Sequence, residues 1–158
     1  MSNNDTKELE AVVESVRYVL ESIGLIPVSV DEHSKQAEHC FYGDIIGAMS
    51  LTGAGVDGTL ILGFETAAAL AVVSAMFGEE YGQLDEVSKS MIAEIANMVC
   101  GRVKIRMSEY GYSIGMAVPQ LFFPGDMLPP TLSKEGVHTV RCHVKQGGFQ
   151  VSLDFGAV

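Results

Sequence analysis

The stretch LDEVSKSMIAEIANMVCGRVKIRMSEYG, residues 84–111, is the longest helical pattern in a chain of 158 residues. Placed on a wheel at about 100° per residue, Leu84, Val87, Met91, Ile92, Ile95, Met98 and Val99 form one apolar arc centred near Ile95. That arc predicts a long helix with one face on a core. Beside it runs a polar row, Ser90, Glu94, Asn97 and Gly101, whose spacing of four, three and four keeps it in line along the helix.

The flanking segments supply what such a helix covers. Upstream, GTLILGF (58–64) reads as a strand and ETAAALAVVSAMF (65–77) as an Ala-rich helix. Further back lie a strand pattern over 38–52, an alternating LIPVSVDE (25–32), and a helix over 6–23 with Thr6 as its cap and Gly24 as its stop. Downstream, YSIGMAVPQLF (112–122) is extended. FPGDMLPP (123–130) is a loop, because proline cannot donate to a ladder. GVHTVRCHV (136–144) and FQVSLDF (149–155) read as a hairpin turning at Gly147-Gly148. The order predicts an α/β (α+β) domain in which long helices cover a mostly antiparallel sheet. No linker, low-complexity segment or repeat divides the chain, so residues 1–158 read as one domain.

Twenty acidic residues against ten basic ones give a formal charge of −10. That argues against nucleic acid and against an anionic membrane surface, both of which need clustered Lys and Arg. Hydrophobic residues at 47% argue against general disorder. The acid is uneven: all of the excess lies before residue 84, and residues 84–158 carry seven charges of each sign. The N-terminus lacks a secretory pattern, and no run reaches the roughly 18 apolar residues of a membrane span. Cys40, Cys100 and Cys142 are odd in number and widely spread, which fits free thiols in a cytoplasmic protein.

Several motifs carry no chemistry. Gly53-Ala54-Gly55-Val56-Asp57-Gly58 matches G-x-G-x-x-G, but a strand follows where a dinucleotide site needs a helix. A hairpin turn is the expectation. His39-Cys40 is followed by no arginine that could bind a phosphate and activate the thiol. Cys142 and His143 are adjacent on a strand and so face opposite sides, which argues against joint metal ligation with His138. No metal site is expected.

The polar row is different. Glu94 and Asn97 are an i, i+3 pair with Cβ atoms about 5–6 Å apart. Asn is a poor helix former, and Gly costs up to about 1 kcal/mol relative to Ala. Close approach of another backbone explains such a glycine, and an amide that orients a water explains such an asparagine. On spacing alone, a solvated face also accounts for the row.

Glu94-Ile95-Ala96-Asn97-Met98-Val99-Cys100-Gly101 resembles the signature helix of the CheC/CheX/FliY chemotaxis phosphatases, Glu-x-x-Asn with a glycine at the same distance. The lead-in Asp85-Glu86-Val87 and the extended Ser113-Ile114-Gly115-Met116-Ala117-Val118-Pro119 are similar too. The element order agrees across nearly the whole chain. One copy of the helix rather than two is the CheX arrangement, within a CheC-like domain. Arg102 and the aromatic Phe122-Phe123-Pro124-Gly125 depart from the pattern.

The resemblance implies a phosphatase acting on the aspartyl phosphate of a CheY-like response regulator. Asn97 would orient the attacking water, and Glu94 would pair with the receiver's active-site lysine. Ser90, Gly101, Arg102 and Lys104 would line the docking surface. The receiver would supply Mg²⁺, so this chain needs no cofactor of its own. A homodimer is implied, with the C-terminal hairpin Val137–Phe155 as one surface able to pair between chains. A non-catalytic receiver-binding or flagellar-switch-like module is the alternative. A receiver's phosphorylated pocket is acidic, so the acid before residue 84 marks the side that does not dock.

Overall fold

The computed structural model describes residues 3–24, 26–115 and 117–156, and in the first helix the side chains from Lys7 onward. Alternation in the C-terminal segment organises the sheet. Strand β8 (Gly147–Phe155) points Phe149, Val151 and Leu153 to one face and Gln150, Ser152 and Asp154 to the other. It pairs antiparallel with β7 (Val137–Val144) on one side and β4 (Gly58–Phe64) on the other. Leu60, Leu62 and Phe64 stand opposite Leu153, Val151 and Phe149. The two phenylalanine rings stack with centroids 5.4 Å apart. β1 (Ser29–Gln36), β2 (Ile45–Ser50) and β6 (Gln120–Phe122) complete a sheet ordered β1-β7-β8-β4-β2-β6, with every pair antiparallel. A small ladder joins β3 (Gly53–Ala54) to β5 (Ser113–Ile114).

Helices α1 (Asn3–Gly24), α2 (Thr66–Phe77) and α3 (Glu86–Ser108) pack on the Phe149–Val151–Leu153 face. Their contributions include Val12, Val16 and Leu20, then Val72 and Val73, then Ile92, Ile95, Val99 and Val103. The opposite face is covered by loop residues. Phe41 and Leu128 pack with Phe122 on Ile46, Ala48 and Ile61. Asp154, fully buried, accepts from the backbone N–H groups of Leu132 and Ser133 at 2.7 and 2.9 Å. The buried His39 imidazole lies 3.0 Å from the same carboxylate. A charge taken out of water is tolerated only with partners of this kind.

The mixed α and β architecture and the antiparallel sheet match the expectation. Details differ. The helix over 6–23 begins at Asn3, so Thr6 lies inside it, and its side chain is outside the described residues. The strand read over 25–32 is shifted to 29–36, and position 25 is outside the described residues. The pattern over 38–52 yields a strand only at 45–50. The extended segment 112–122 splits into β5 and β6, and position 116 is outside the described residues.

The hairpin turns at Lys145-Gln146, and Gly147 and Gly148 are already in the strand. Packing accounts for these glycines: a Cβ on Gly148 would meet the Tyr42 hydroxyl at 2.7 Å. That hairpin cannot pair between chains. β7 lies between β1 and β8, and β8 between β7 and β4, so the free edges of the sheet are β1 and β6. The Gly53–Gly58 motif is indeed a turn: Gly53 pairs with Val56, and Gly55 takes φ of 77°.

Candidate active site

Helix α3 is fixed at its start, along its inner face and on both flanks. Asp85 caps it: the carboxylate accepts from Ser88 N–H at 2.9 Å, and the Ser88 hydroxyl accepts from Asp85 N–H at 2.7 Å. This reciprocal box satisfies donors that a helix start otherwise leaves open. The Tyr81 hydroxyl donates to the other Asp85 oxygen at 2.5 Å. That bond, with the Ser88 N–H, holds the Asp85 carboxyl below its ordinary pKa.

The buried side of α3 is Ser88, Ile92, Ile95, Ala96, Val99, Cys100, Val103 and Met107. On the wheel this arc is rotated by roughly 70° from the one centred on Ile95. Val87 and Met98, expected in the core, are exposed. The rotation follows from the small residues. Ala96 faces Gly47 of β2, where a Cβ would sit 3.3 Å from the Ala96 Cβ, and Ser88 is drawn inward by the cap.

On one flank Arg102 reaches α1. Its Nη2 donates to Glu14 Oε1 at 3.3 Å, and its guanidinium carbon lies 4.0 Å from the centre of the Tyr18 ring. Arg106 Nε lies 3.1 Å from Glu14 Oε2. On the other flank Lys89 Nζ lies 3.4 Å from Glu86 and 4.8 Å from the centre of the Phe123 ring. Beyond the helix end, the Tyr112 hydroxyl donates to Glu8 of α1.

What this framework leaves outward is the polar row. Ser90, Glu94, Asn97 and Gly101 are all exposed. Glu94 and Asn97 have no side-chain hydrogen bond or ion pair among the described residues. A Cβ on Gly101 would meet nothing within 4 Å. No internal packing therefore accounts for a glycine in mid-helix. Arg102 and Lys104 are half-buried at the edges of the row. The exposed residues of α3 include two charges, Glu86 and Glu94, and no cation.

Among the described residues no group of three or more His, Cys, Asp or Glu could hold a metal ion. His143 Nδ1 instead lies 2.7 Å from Asp31, and His138 Nδ1 lies 2.9 Å from His33 Nε2. No helix among the described residues is long and apolar enough to cross a membrane.

The family model described as chemotaxis phosphatase CheX matches residues 45–153, which include the whole of α3. The chain belongs to the CheX family. It is a chemotaxis phosphatase and so a hydrolase. A relative from Thermotoga maritima named CheY-P phosphatase CheX is 32% identical over 115 residues, covering 66% of this chain and 74% of the relative. The crystal structure of a chemotaxis protein CheX from Vibrio vulnificus aligns with a TM-score of 0.84 at 22% identity, covering 94% of this chain and 98% of that one. A CheX from Borrelia burgdorferi, solved as a complex with CheY, BeF3 and Mg²⁺, aligns at 0.74 and 19% identity, covering 94% of this chain and 97% of that one. In this chain the fold turns the Glu94–Asn97 row of α3 outward.

Proposed function

We propose that this chain accelerates hydrolysis of the aspartyl phosphate on a CheY-like receiver domain. Water attacks phosphorus in line, the bond from phosphorus to the aspartyl oxygen breaks, and carboxylate and inorganic phosphate result. Asn97 orients the water, since an amide both donates and accepts and does not ionise. Glu94 pairs with the receiver's active-site lysine. Ser90 and Gly101 keep the helix surface low enough for approach, while Arg102 and Lys104 border the docked partner. The receiver supplies Mg²⁺, which stabilises charge on the transferring phosphoryl group. The chain acts in the cytoplasm, as a homodimer.

One observation carries this reading. Glu94 and Asn97 stand exposed in line with Gly101, with no side-chain partner among the described residues and no packing reason for the glycine. Family membership supports it, as does the relative named for CheY-P. The Borrelia burgdorferi complex shows that a CheX of this fold can be captured with CheY and Mg²⁺.

The test is the decay of phosphorylated CheY with and without the protein. Wild type is expected to accelerate phosphate release. Asn97→Ala is expected to lower that acceleration by about 10²-fold or more, as for other groups that position a reacting atom, with an unchanged unfolding midpoint. Full activity in Asn97→Ala would overturn the assignment. Binding without accelerated release in wild type would identify a non-catalytic receiver-binding module.

A further inference from the structure

A helix with one face in a core ordinarily turns a polar face to solvent. Helix α3 does not. Val87, Met98 and Ile105 are 51%, 39% and 58% exposed. At about 100° per residue they fall within roughly 20° of one another, on a line that borders Glu94 and Gly101. Single exposed apolar residues are common and need no explanation. Three in line along one helix, beside a row with no internal partner, form a strip.

We propose that Val87, Met98 and Ile105 are the residues by which the chain grips the phosphorylated receiver, setting affinity while Asn97 sets rate. The inference rests on the reading of Glu94 and Asn97 as the receiver-facing pair. Geometry commits the occupant. At 1.5 Å per residue, Met98, Val87 and Ile105 lie about 4, 13 and 14 Å along the axis from the midpoint of Glu94 and Asn97. A standard interface buries about 800 Å² per partner, a disc of roughly 16 Å radius. A receiver that sets its active site on Glu94 and Asn97 therefore covers all three.

Charge agrees with the same occupant. The exposed face of α3 offers no cation to attract an acidic pocket. Of the half-buried cations, Arg102 and Arg106 are held by Glu14, Lys89 lies beside Glu86, and Lys104 borders the row. Beyond the pairing of Glu94 with the receiver's lysine, the exposed face adds no charge that attracts an acidic pocket, and apolar contact supplies the rest of the hold.

The test uses the full chain with CheY of the same organism, phosphorylated by phosphoramidate in excess Mg²⁺. Glutamine replaces each residue, because it favours helix while removing the apolar surface. Met98→Gln is expected to raise the half-saturating CheY concentration about tenfold, and Val87→Gln and Ile105→Gln about threefold, with maximal rate unchanged. The double variant Val87→Gln/Ile105→Gln is expected to multiply the two effects. Unchanged half-saturation in all of them, with active wild type and inactive Asn97→Ala, overturns this inference and leaves the phosphatase reading standing. A fall in maximal rate alone, or a changed oligomeric state by sedimentation, also overturns it. Failure of wild type to accelerate decay overturns the phosphatase reading itself.

Discussion

The sheet comes close under the site helix at Gly47 and Ala96, where a Cβ on the glycine would stand 3.3 Å from that of the alanine. Ala96 directly precedes Asn97, so the depth at which α3 seats is set one residue from the proposed water-orienting amide. Gly47→Val is expected to push α3 away from β2. Overpacking of this kind costs about 1–3 kcal/mol. Urea unfolding should register that loss, and phosphatase turnover should fall alongside it. A variant as stable and as active as wild type would mean that this approach does not seat the helix.

Gly101 offers the opposite sign. Nothing lies within 4 Å of the Cβ it lacks. Gly101→Ala should therefore stabilise α3 by up to about 1 kcal/mol. The new methyl would stand where the partner approaches, so kcat/KM for CheY should drop about tenfold, the size of effect usual when the centre of an interface is disturbed. Higher stability together with lower activity is the signature expected. Higher stability with full activity would show that docking does not need the glycine.

The Asp85 cap makes α3 sensitive to acid. Its carboxyl is held below the ordinary value of 3.8 by the Tyr81 hydroxyl and the Ser88 N–H. A depressed carboxyl contributes stability that is complete above the unfolded value and is lost as pH falls through the folded one. Asp85→Asn keeps an accepting oxygen but removes the ionisation. The stability gap between wild type and this variant should be constant from pH 7 to 5, then close below about pH 4. Urea unfolding across that range gives the comparison. A gap that persists at pH 2 would mean that ionisation of the cap contributes nothing.

The thiols should separate by position. Burial, then the nearby Asp31 carboxylate, pushes Cys142 up to about 12, and burial raises Cys100 as well. Thiolate is the reactive form. Cys40 is exposed. At pH 8 a thiol-specific reagent should modify one cysteine in the folded protein, identified as Cys40 by peptide mapping, and three in denaturant. Rapid modification of all three without denaturant would contradict the packing.

The sequence made the strands at 58–64 and 137–144 and the helices from 66 and 86 legible, because uninterrupted apolar runs and clean periods leave few alternatives. The row Ser90, Glu94, Asn97 and Gly101 was legible for the same reason, since helical spacing alone places these residues together. Three things were not. The helix wheel gave weight to large side chains and missed that Ala96 and Ser88 turn inward, the first against Gly47 and the second into the cap. Edge strand β1 is largely exposed along its length, so it carries little alternation to locate it. The turn at Lys145-Gln146 was hidden by Gly147-Gly148, whose glycines serve close packing on Tyr42 and an N–H bond to Glu65 at 2.9 Å rather than chain reversal. At Ala96 and at Gly148 an interaction distant in sequence overrode a local preference.

The row on α3 rises from the crest of a helix about 35 Å long. An amide on a crest has no walls of its own. It encloses no small molecule, excludes no water and shields no charge. Under the proposed function the chain holds half of an active centre, and the other half, cation and walls included, travels on the partner. Recognition of one protein surface by another must then come before any chemistry. The choice of which phosphoryl group to remove is made by fit along the strip, before any bond is touched.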